Sequence, residues 1–304
     1  MSDMLPEWMG GVDPSRIGFP LPIDRTAYRK TAGLAYKETP TGPLLLDAYR
    51  PADDGRHPLV VMIHGGGWAR GGRFEMGLSK WAAYLASAGM TVVSIDYRLA
   101  PQTTYPDSFQ DCLDAVDWAV AHADELGADP ERIGLWGDSA GGHLVLLLAT
   151  SQTHPQFRGP RLRTDPTRLR AVAALYPPTD LLALDRAEQR AGIARIVRDF
   201  IGAEPEAAPQ RWHDASPIEQ VHPALPPILI LQGTRDLLVP ASQATRFAER
   251  LAAVGAPHRL EIVEGGLHGF DRLGPDARGL ALIEATREFL RERLQGTVVK
   301  GTGC

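Results

Sequence analysis

Short apolar runs alternate with amphipathic segments along most of this chain, and this alternation constrains its fold more than any other feature. Helical periodicity is found at Asp107–Ala123, Ser242–Val254 and Asp276–Leu294. Strands that are buried on both faces and separated by helices pack as a mostly parallel sheet with helices on both faces. The sequence therefore predicts an α/β fold. Seven runs have the length of strands: Leu44–Tyr49, Leu59–Ile63, Thr91–Ile95, Ile133–Trp136, Leu169–Leu175, Ile228–Leu231 and Leu260–Val263.

The chain has 304 residues, and we interpret it as a single domain over 1–304. Two segments fit the alternation poorly. The first is the N-terminal stretch to about Arg29, which is rich in Pro and Gly. The second is Asp180–Val221, which has a helical patch at Ala187–Phe200 but is longer than one crossover between strands needs. We interpret the second segment as an insertion over the top of the sheet.

The charge balance excludes several classes of partner. Lys and Arg total 32 and Asp and Glu total 37, which gives a formal net charge of -5. Such a chain has no field that would attract nucleic acid or an anionic membrane. Its apolar runs are far shorter than the roughly 18 residues of a membrane span, and acidic residues precede the first base, Arg16, with no apolar signal region. We expect a cytoplasmic protein that binds neither nucleic acid nor membrane.

The sequence GDSAGG, Gly137–Gly142, is the clearest chemical signal. It follows the apolar IGLW and precedes the helix-like HLVLLLAT, so the pattern Gly-x-Ser-x-Gly lies between a strand and a helix. That context is the one expected for a nucleophile elbow, in which a strained turn projects the serine hydroxyl. Gly137 and Gly141 would let neighbouring backbone pass close to this turn. Ser139 is therefore the predicted nucleophile.

A second glycine cluster, HGGGW at His64–Trp68, directly follows the run LVVMI. Consecutive glycines mark a backbone path that side chains would block. In a hydrolase such a loop can aim N–H donors at a developing oxyanion. Because Trp68 directly follows the glycines, we expect its indole to lie beside the oxyanion hole and to contact substrate.

An acid and then a histidine should follow the serine in chain order, each after a late strand. Asp236 follows the run ILIL, and His268 lies in a Gly-flanked loop after LEIV. Glu264 and Asp271 are rival acids because they are close to His268 in sequence, but neither ends a strand one unit earlier. Asp236 and His268 are the predicted partners of Ser139.

With these motifs, the sequence resembles the hormone-sensitive-lipase-like esterases of the α/β-hydrolase superfamily. The resemblance runs from about Leu59 to Leu294 through HGGGW, DYRLAP (Asp96–Pro101), GDSAGG, RDLLVP and HGF. The segment YPPTDL and the Trp after the glycines are also similar to bacterial acetylxylan and feruloyl esterase-like proteins.

The resemblance implies an α/β-hydrolase fold with a small helical cap, formed from about 1–30 and 180–221. It implies an oxyanion hole made by the N–H groups of Gly66, Gly67 and Ala140. The expected activity is hydrolysis of short-acyl carboxylic esters through an acyl-enzyme intermediate, with a small-molecule ester as the partner. We expect no metal and no cofactor, since the histidines and carboxylates have no metal-ligand spacing. A homodimer is left open.

Three alternatives remain at this point. An arylformamidase-type amide hydrolase would use the same three residues, and kynurenine formamidases have a similar HGG-x-W. A peptidase of the prolyl-oligopeptidase type would need a large N-terminal propeller, whereas only some 58 residues precede the strand that leads into HGGGW. A non-catalytic ligand-binding relative would have lost one of the three residues.

Overall fold

A computed structural model describes residues 23–75, 77–151, 168–187, 191–272 and 277–295. One sheet contains eight strands: β1 (Tyr28–Lys37), β2 (Leu44–Pro51), β3 (His57–Ile63), β4 (Thr91–Ile95), β5 (Ala128–Asp138), β6 (Leu169–Leu175), β7 (Ile228–Gly233) and β8 (His258–Val263). The helices that the structure describes are α1 (Leu78–Ser87), α2 (Asp107–Ala121), α3 (Ala123–Leu126), α4 (Ala140–Thr150), α5 (Leu181–Asp185), α6 (Ala191–Ile201), α7 (Pro209–Asp214), α8 (Ala241–Ala253) and α9 (Ala277–Gln295), with a 3-10 turn at Pro217–Gln220.

The strand order places the loops that follow β3 and β5 at the point where the winding of the sheet reverses. The order is β1-β2-β4-β3-β5-β6-β7-β8. β2 is antiparallel to β1 and β4, and the other neighbouring pairs are parallel. Since β4 and β5 lie on opposite sides of β3, the winding reverses at the carboxyl ends of β3 and β5. Ligands bind in this crevice in open α/β sheets.

Alternate residues of the central strand β3 pack into two separate cores. Leu59, Val61 and Ile63 join the core that includes α2, α4 and α8. Val60 and Met62 join the core that includes α1 and α9 on the opposite face. Each of these side chains is fully buried, and full burial stabilises the fold by about 1.5–3 kcal/mol per large aliphatic side chain. The predicted mostly parallel sheet with helices on both faces is confirmed.

Each of the seven predicted apolar runs lies within an observed strand, whereas β1 and α1 were missed. β1 lies at the sheet edge, pairs only with β2, and has mostly exposed side chains, so its sequence has no apolar run. α1 has only ten residues, most of them buried, so few polar positions mark an exposed face in its sequence. Tyr28–Lys30 begin β1, although the N-terminal cap was expected to reach about residue 30. Residues 1–22 of that expected cap lie outside the described residues.

The Asp180–Val221 insertion lies against the loops at the carboxyl edge of the sheet. It contains α5, α6, α7 and the 3-10 turn, and the described part of its predicted central helix begins at Ala191. The Phe200 carbonyl accepts a 2.8 Å hydrogen bond from Tyr105 N–H, and Ile218 N–H donates to the Thr179 carbonyl at 3.0 Å. These bonds fix the insertion to the loop after β4 and to the loop after β6. No helix among the described residues combines the length and the apolar character that crossing a membrane requires.

Candidate active site

Ser139 occupies a strained turn between β5 and α4. Its φ of 52° and ψ of -120° lie in a region that residues other than glycine rarely adopt. The glycines on either side are required by close backbone contact. A Cβ on Gly137 would lie 2.3 Å from the Gly141 carbonyl oxygen, and a Cβ on Gly141 would lie 2.0 Å from that of Ile63. The strand–turn–helix context predicted for GDSAGG is present.

The structure brings Ser139, His268 and Asp236 together in one hydrogen-bonded chain. Ser139 Oγ lies 2.9 Å from His268 Nε2, and His268 Nδ1 lies 2.8 Å from Asp236 Oδ2. With Nδ1–H donating to the carboxylate, Nε2 is left as the acceptor of the serine proton. The serine comes from the end of β5, the acid from the loop after β7 and the histidine from the loop after β8.

Four donors hold the carboxylate of Asp236, which is 4% exposed. Its Oδ1 accepts from the N–H groups of Leu238 and Val239, both at 2.8 Å. Its Oδ2 accepts from His268 and, at 3.1 Å, from the side-chain amide of Gln232. A buried carboxylate whose acceptors are satisfied in this way is fixed in orientation. The rival acids lie elsewhere: Glu264 accepts from Thr234, and Asp271 from Tyr176 and Trp81.

Gln232 is a site residue that the sequence analysis missed. It lies in β7, is fully buried, and also donates to the Val239 carbonyl at 3.1 Å. It thereby connects the strand to the turn that presents Asp236. The available signal was a single amide at the end of the apolar run ILIL, four residues before the predicted acid.

The glycine loop after β3 lies against the nucleophile. A Cβ on Gly65 would be 3.1 Å from the Ser139 Cβ, so the two chain segments are in contact. Gly66 and Gly67 have φ values of 118° and 62°, which favour glycine. Among the described residues, no protein group accepts a hydrogen bond from the N–H of Gly66, Gly67 or Ala140. Ala140 directly follows Ser139 at the start of α4, where the first N–H groups have no partner within their own helix.

Trp68 joins the glycine loop to the insertion. Its indole is 2% exposed and stacks on Phe200 of α6 with ring centroids 4.6 Å apart. Its Nε1–H donates to His143 Nδ1 at 3.2 Å, and His143 Nε2 donates to the Ala215 carbonyl at 2.7 Å. The structure thus gives the indole a role in holding the insertion on the core. The direct contact with substrate that was expected of Trp68 stays a prediction.

The described residues contain no group of three or more His, Cys, Asp or Glu side chains arranged to hold a metal ion. The chemistry that this arrangement offers is that of an activated serine. A hydroxyl, an imidazole, a buried carboxylate and free N–H donors are the parts of the acyl-transfer machinery of serine hydrolases.

Several known proteins are similar to this chain. The BD-FAE family model matches residues 46–251. The chain belongs to the BD-FAE family. Its similarity to a bacterial homologue of human hormone sensitive lipase, brefeldin A esterase, extends over 92% of this chain and 81% of that one, with a TM-score of 0.74 at 23% identity. This likeness shows the fold, and the predicted α/β-hydrolase fold is confirmed. The family match and the relatives named as esterases confirm the resemblance to esterases of that superfamily.

Curated relatives of this chain are named as esterases or ester hydrolases. Esterase LipC of Mycobacterium tuberculosis is 35% identical over 248 residues, which are 79% of this chain and 61% of LipC. Ethyl acetate hydrolase of Pseudomonas putida is 28% identical over 264 residues, which are 80% of this chain and 77% of that protein. The chain spans about three fifths of the length of the mycobacterial relatives LipC, LipM and LipQ.

Burial of His143 generates a test of how the insertion is held. Burial lowers the pKa of His143 from 6.5 to about 4, although its hydrogen bond to Ala215 acts in the opposite direction. Between these two values the unfolded chain binds a proton that the folded chain does not, so the free energy of unfolding falls as the pH falls from 6.5 towards 4. At about 1.4 kcal/mol per pH unit, this loss of unfolding free energy reaches roughly 3 kcal/mol at pH 4. Above pH 6.5 His143 causes no such loss.

We expect His143→Gln, which keeps an acceptor and a donor, to reduce the slope of the unfolding free energy against pH. The reduction should be at most the slope that one bound proton produces. Urea unfolding at pH steps from 4 to 8 measures the slope. The matched control is His258→Gln, which removes a partly exposed histidine on β8 and tests whether loss of any histidine gives the same change. Equal slopes for His143→Gln and wild type would show that the buried imidazole is not the group responsible.

Proposed function

We propose that this chain is a serine carboxylic-ester hydrolase that acts on short-acyl esters through an acyl-enzyme intermediate. The observation that carries the proposal is the continuous hydrogen-bonded chain from Ser139 through His268 to Asp236. The esterase names of LipC and ethyl acetate hydrolase support it.

In the proposed mechanism His268 Nε2 takes the proton of Ser139 as the serine oxygen attacks the ester carbonyl. Asp236 holds the imidazole in the required tautomer and stabilises the imidazolium that forms. The N–H groups of Gly66, Gly67 and Ala140 donate to the oxyanion of the tetrahedral intermediate. His268 then protonates the leaving alcohol. Water, activated by the same imidazole, releases the acid from the acyl-enzyme.

The insertion supports the proposal that the acyl group is short. A Cβ on Gly67 would lie 3.0 Å from Ile196 Cγ2, so α6 covers the glycine loop closely. Trp68 and Phe200 close the same region by stacking. A methylene that reaches free apolar wall gains about 0.8 kcal/mol, whereas one that meets a blocked wall adds strain instead. The cytoplasmic location and the homodimer stay predictions.

Ser139→Ala is the first test. We expect the variant to fold as the wild type does and to lose activity on p-nitrophenyl acetate by about 10⁴-fold or more, because the nucleophile is gone. Steady-state hydrolysis and circular dichroism measure the two properties. The control is Ser242→Ala, an exposed serine at the start of α8, which should keep wild-type turnover. Activity of Ser139→Ala above a few per cent of wild type would contradict the assignment.

Asp236→Asn tests the acid. The amide can hold His268 in the wrong tautomer, so we expect kcat to fall by about 10³–10⁴-fold with a much smaller change in KM. Glu264→Gln is the matched control, since this exposed carboxylate lies close to His268 in sequence and contacts only Thr234 in the described chain. Loss of activity in the control together with an active Asp236→Asn would reassign the acid.

The acyl chain-length profile tests the substrate class. We expect kcat/KM for p-nitrophenyl esters to peak between acetate and roughly hexanoate and to fall steeply towards palmitate. Ile196→Ala should move the peak to longer chains, since it removes the side chain that faces Gly67. Arg195→Ala, whose side chain on the same helix is 84% exposed, should leave the profile unchanged. A wild-type maximum at palmitate would overturn the short-acyl proposal, and faster turnover of an N-formyl arylamine would favour the amide hydrolase.

A further inference from the structure

A buried polar network lies behind the nucleophile and is used by none of the steps above. The guanidinium of Arg272 forms an ion pair with Asp138 and donates from Nη2 to the Tyr176 hydroxyl at 2.7 Å. Tyr176 donates to Asp271 Oδ1 at 2.7 Å, and Trp81 Nε1–H donates to Asp271 Oδ2 at 2.9 Å. Both carboxylates are at most 1% exposed, and the Arg272 side chain is 12% exposed.

The network joins three loops that carry the proposed machinery. Asp138 directly precedes Ser139, and its other oxygen accepts the N–H of Gly65 at 3.1 Å, where the glycine loop begins. Arg272 follows His268 by four residues in the loop after β8. The Tyr176 ring also contacts the His268 ring, with centroids 4.6 Å apart. One guanidinium therefore connects the loop of the base to the nucleophile elbow and, through Asp138, to the glycine loop.

The charges in this network make the arginine indispensable to its neighbours. Two buried carboxylates, Asp138 and Asp271, share the single cation of Arg272; its Nε lies 3.5 Å from Asp271 Oδ2. Burial alone would lower the pKa of Arg272, but the charge of Asp138 and the other partners hold it well above the usual value. Without the guanidinium, an unpaired buried carboxylate would lie next to the residue that attacks the substrate. Such a charge opposes the developing oxyanion.

We propose that Arg272 is a positioning residue that holds the His268 loop and the glycine loop in place around Ser139. It also neutralises the charge of Asp138, which lies next to Ser139. This inference rests on the proposed ester hydrolysis, since it concerns the same site. Arginine suits the role because its planar fork presents several donors at once to Asp138, Tyr176 and Asp271. The ammonium of a lysine is a compact point charge and would satisfy fewer of these acceptors.

The test compares Arg272→Met, Arg272→Lys, Asp138→Asn and the double variant Asp138→Asn/Arg272→Met. We expect Arg272→Met to lower kcat for p-nitrophenyl acetate on the order of 10²-fold, the size of effect seen when one oxyanion donor is lost, with little change in KM. Arg272→Lys should recover part of the loss. Arg132→Met is the matched control, because Arg132 is a half-buried arginine paired with Asp129 at the opposite end of β5.

The pH dependence of kcat/KM separates positioning from a general loss of stability. In Arg272→Met the unpaired Asp138 favours the imidazolium of His268, so the acid limb of the profile should shift to higher pH. The double variant should return the limb to its wild-type position, because the extra charge is gone, while kcat stays low because the connection is also gone. A merely destabilised enzyme would show neither the shift nor its reversal.

Labelling of Ser139 by a fluorophosphonate distinguishes failure of the proposed ester hydrolysis from failure of the role proposed for Arg272. A wild-type protein that neither turns over esters nor becomes labelled overturns the proposed function and this inference with it. The inference alone is overturned if the wild type is active and the variants Arg272→Lys and Asp138→Asn both keep wild-type kcat and an unshifted acid limb. These two conservative variants decide the matter even if Arg272→Met does not fold.

Discussion

The close contact between the carboxyl ends of β3 and β5 is the constraint on which the rest of the site depends. A Cβ on Gly141 would be 2.0 Å from the Ile63 carbonyl, and one on Gly65 would be 2.6 Å from Asp138 Oδ2. Only backbone fits between the two chain segments. This approach forces Ser139 into its positive φ, a strain of about 1–3 kcal/mol. The fully buried strand β3 holds both segments in place, and its burial offsets that strain.

Three carboxylates near the nucleophile, those of Asp236, Asp138 and Asp271, are buried and have hydrogen-bond or ion-pair partners. Asp236 accepts four hydrogen bonds, including that of His268. Asp138 and Asp271 share Arg272. A buried charge without a partner costs several kcal/mol, so removing any one member would be felt by the others. The hydrogen-bonded chain directs the negative charge of Asp236 at the imidazole, as the proposed proton transfer requires.

The sequence revealed the parts of the fold whose side chains are buried in a regular pattern. The runs in β3 and β7 are apolar because both faces of these strands are covered, so they could be found without a structure. β1 could not, because its edge position leaves its side chains exposed. Ser139, Asp236 and His268 follow motifs whose spacing reflects the order of strands. Gln232 and Arg272 have no such motif, since their partners are set by how distant loops pack together.

Trp68 connects the glycine loop to the insertion, because its backbone belongs to the loop and its indole packs on α6. Its backbone continues from Gly67, and its carbonyl accepts a 2.8 Å hydrogen bond from Ala100 N–H in the loop after β4. Its indole is held by Phe200 and by the neutral imidazole of His143. In the proposed mechanism, a change in α6 that alters the room for the acyl group therefore also acts on the peptide of Gly67, which would donate to the oxyanion. We therefore expect substrate size and transition-state stabilisation to be coupled through Trp68, so that a substitution in the insertion changes kcat as well as KM.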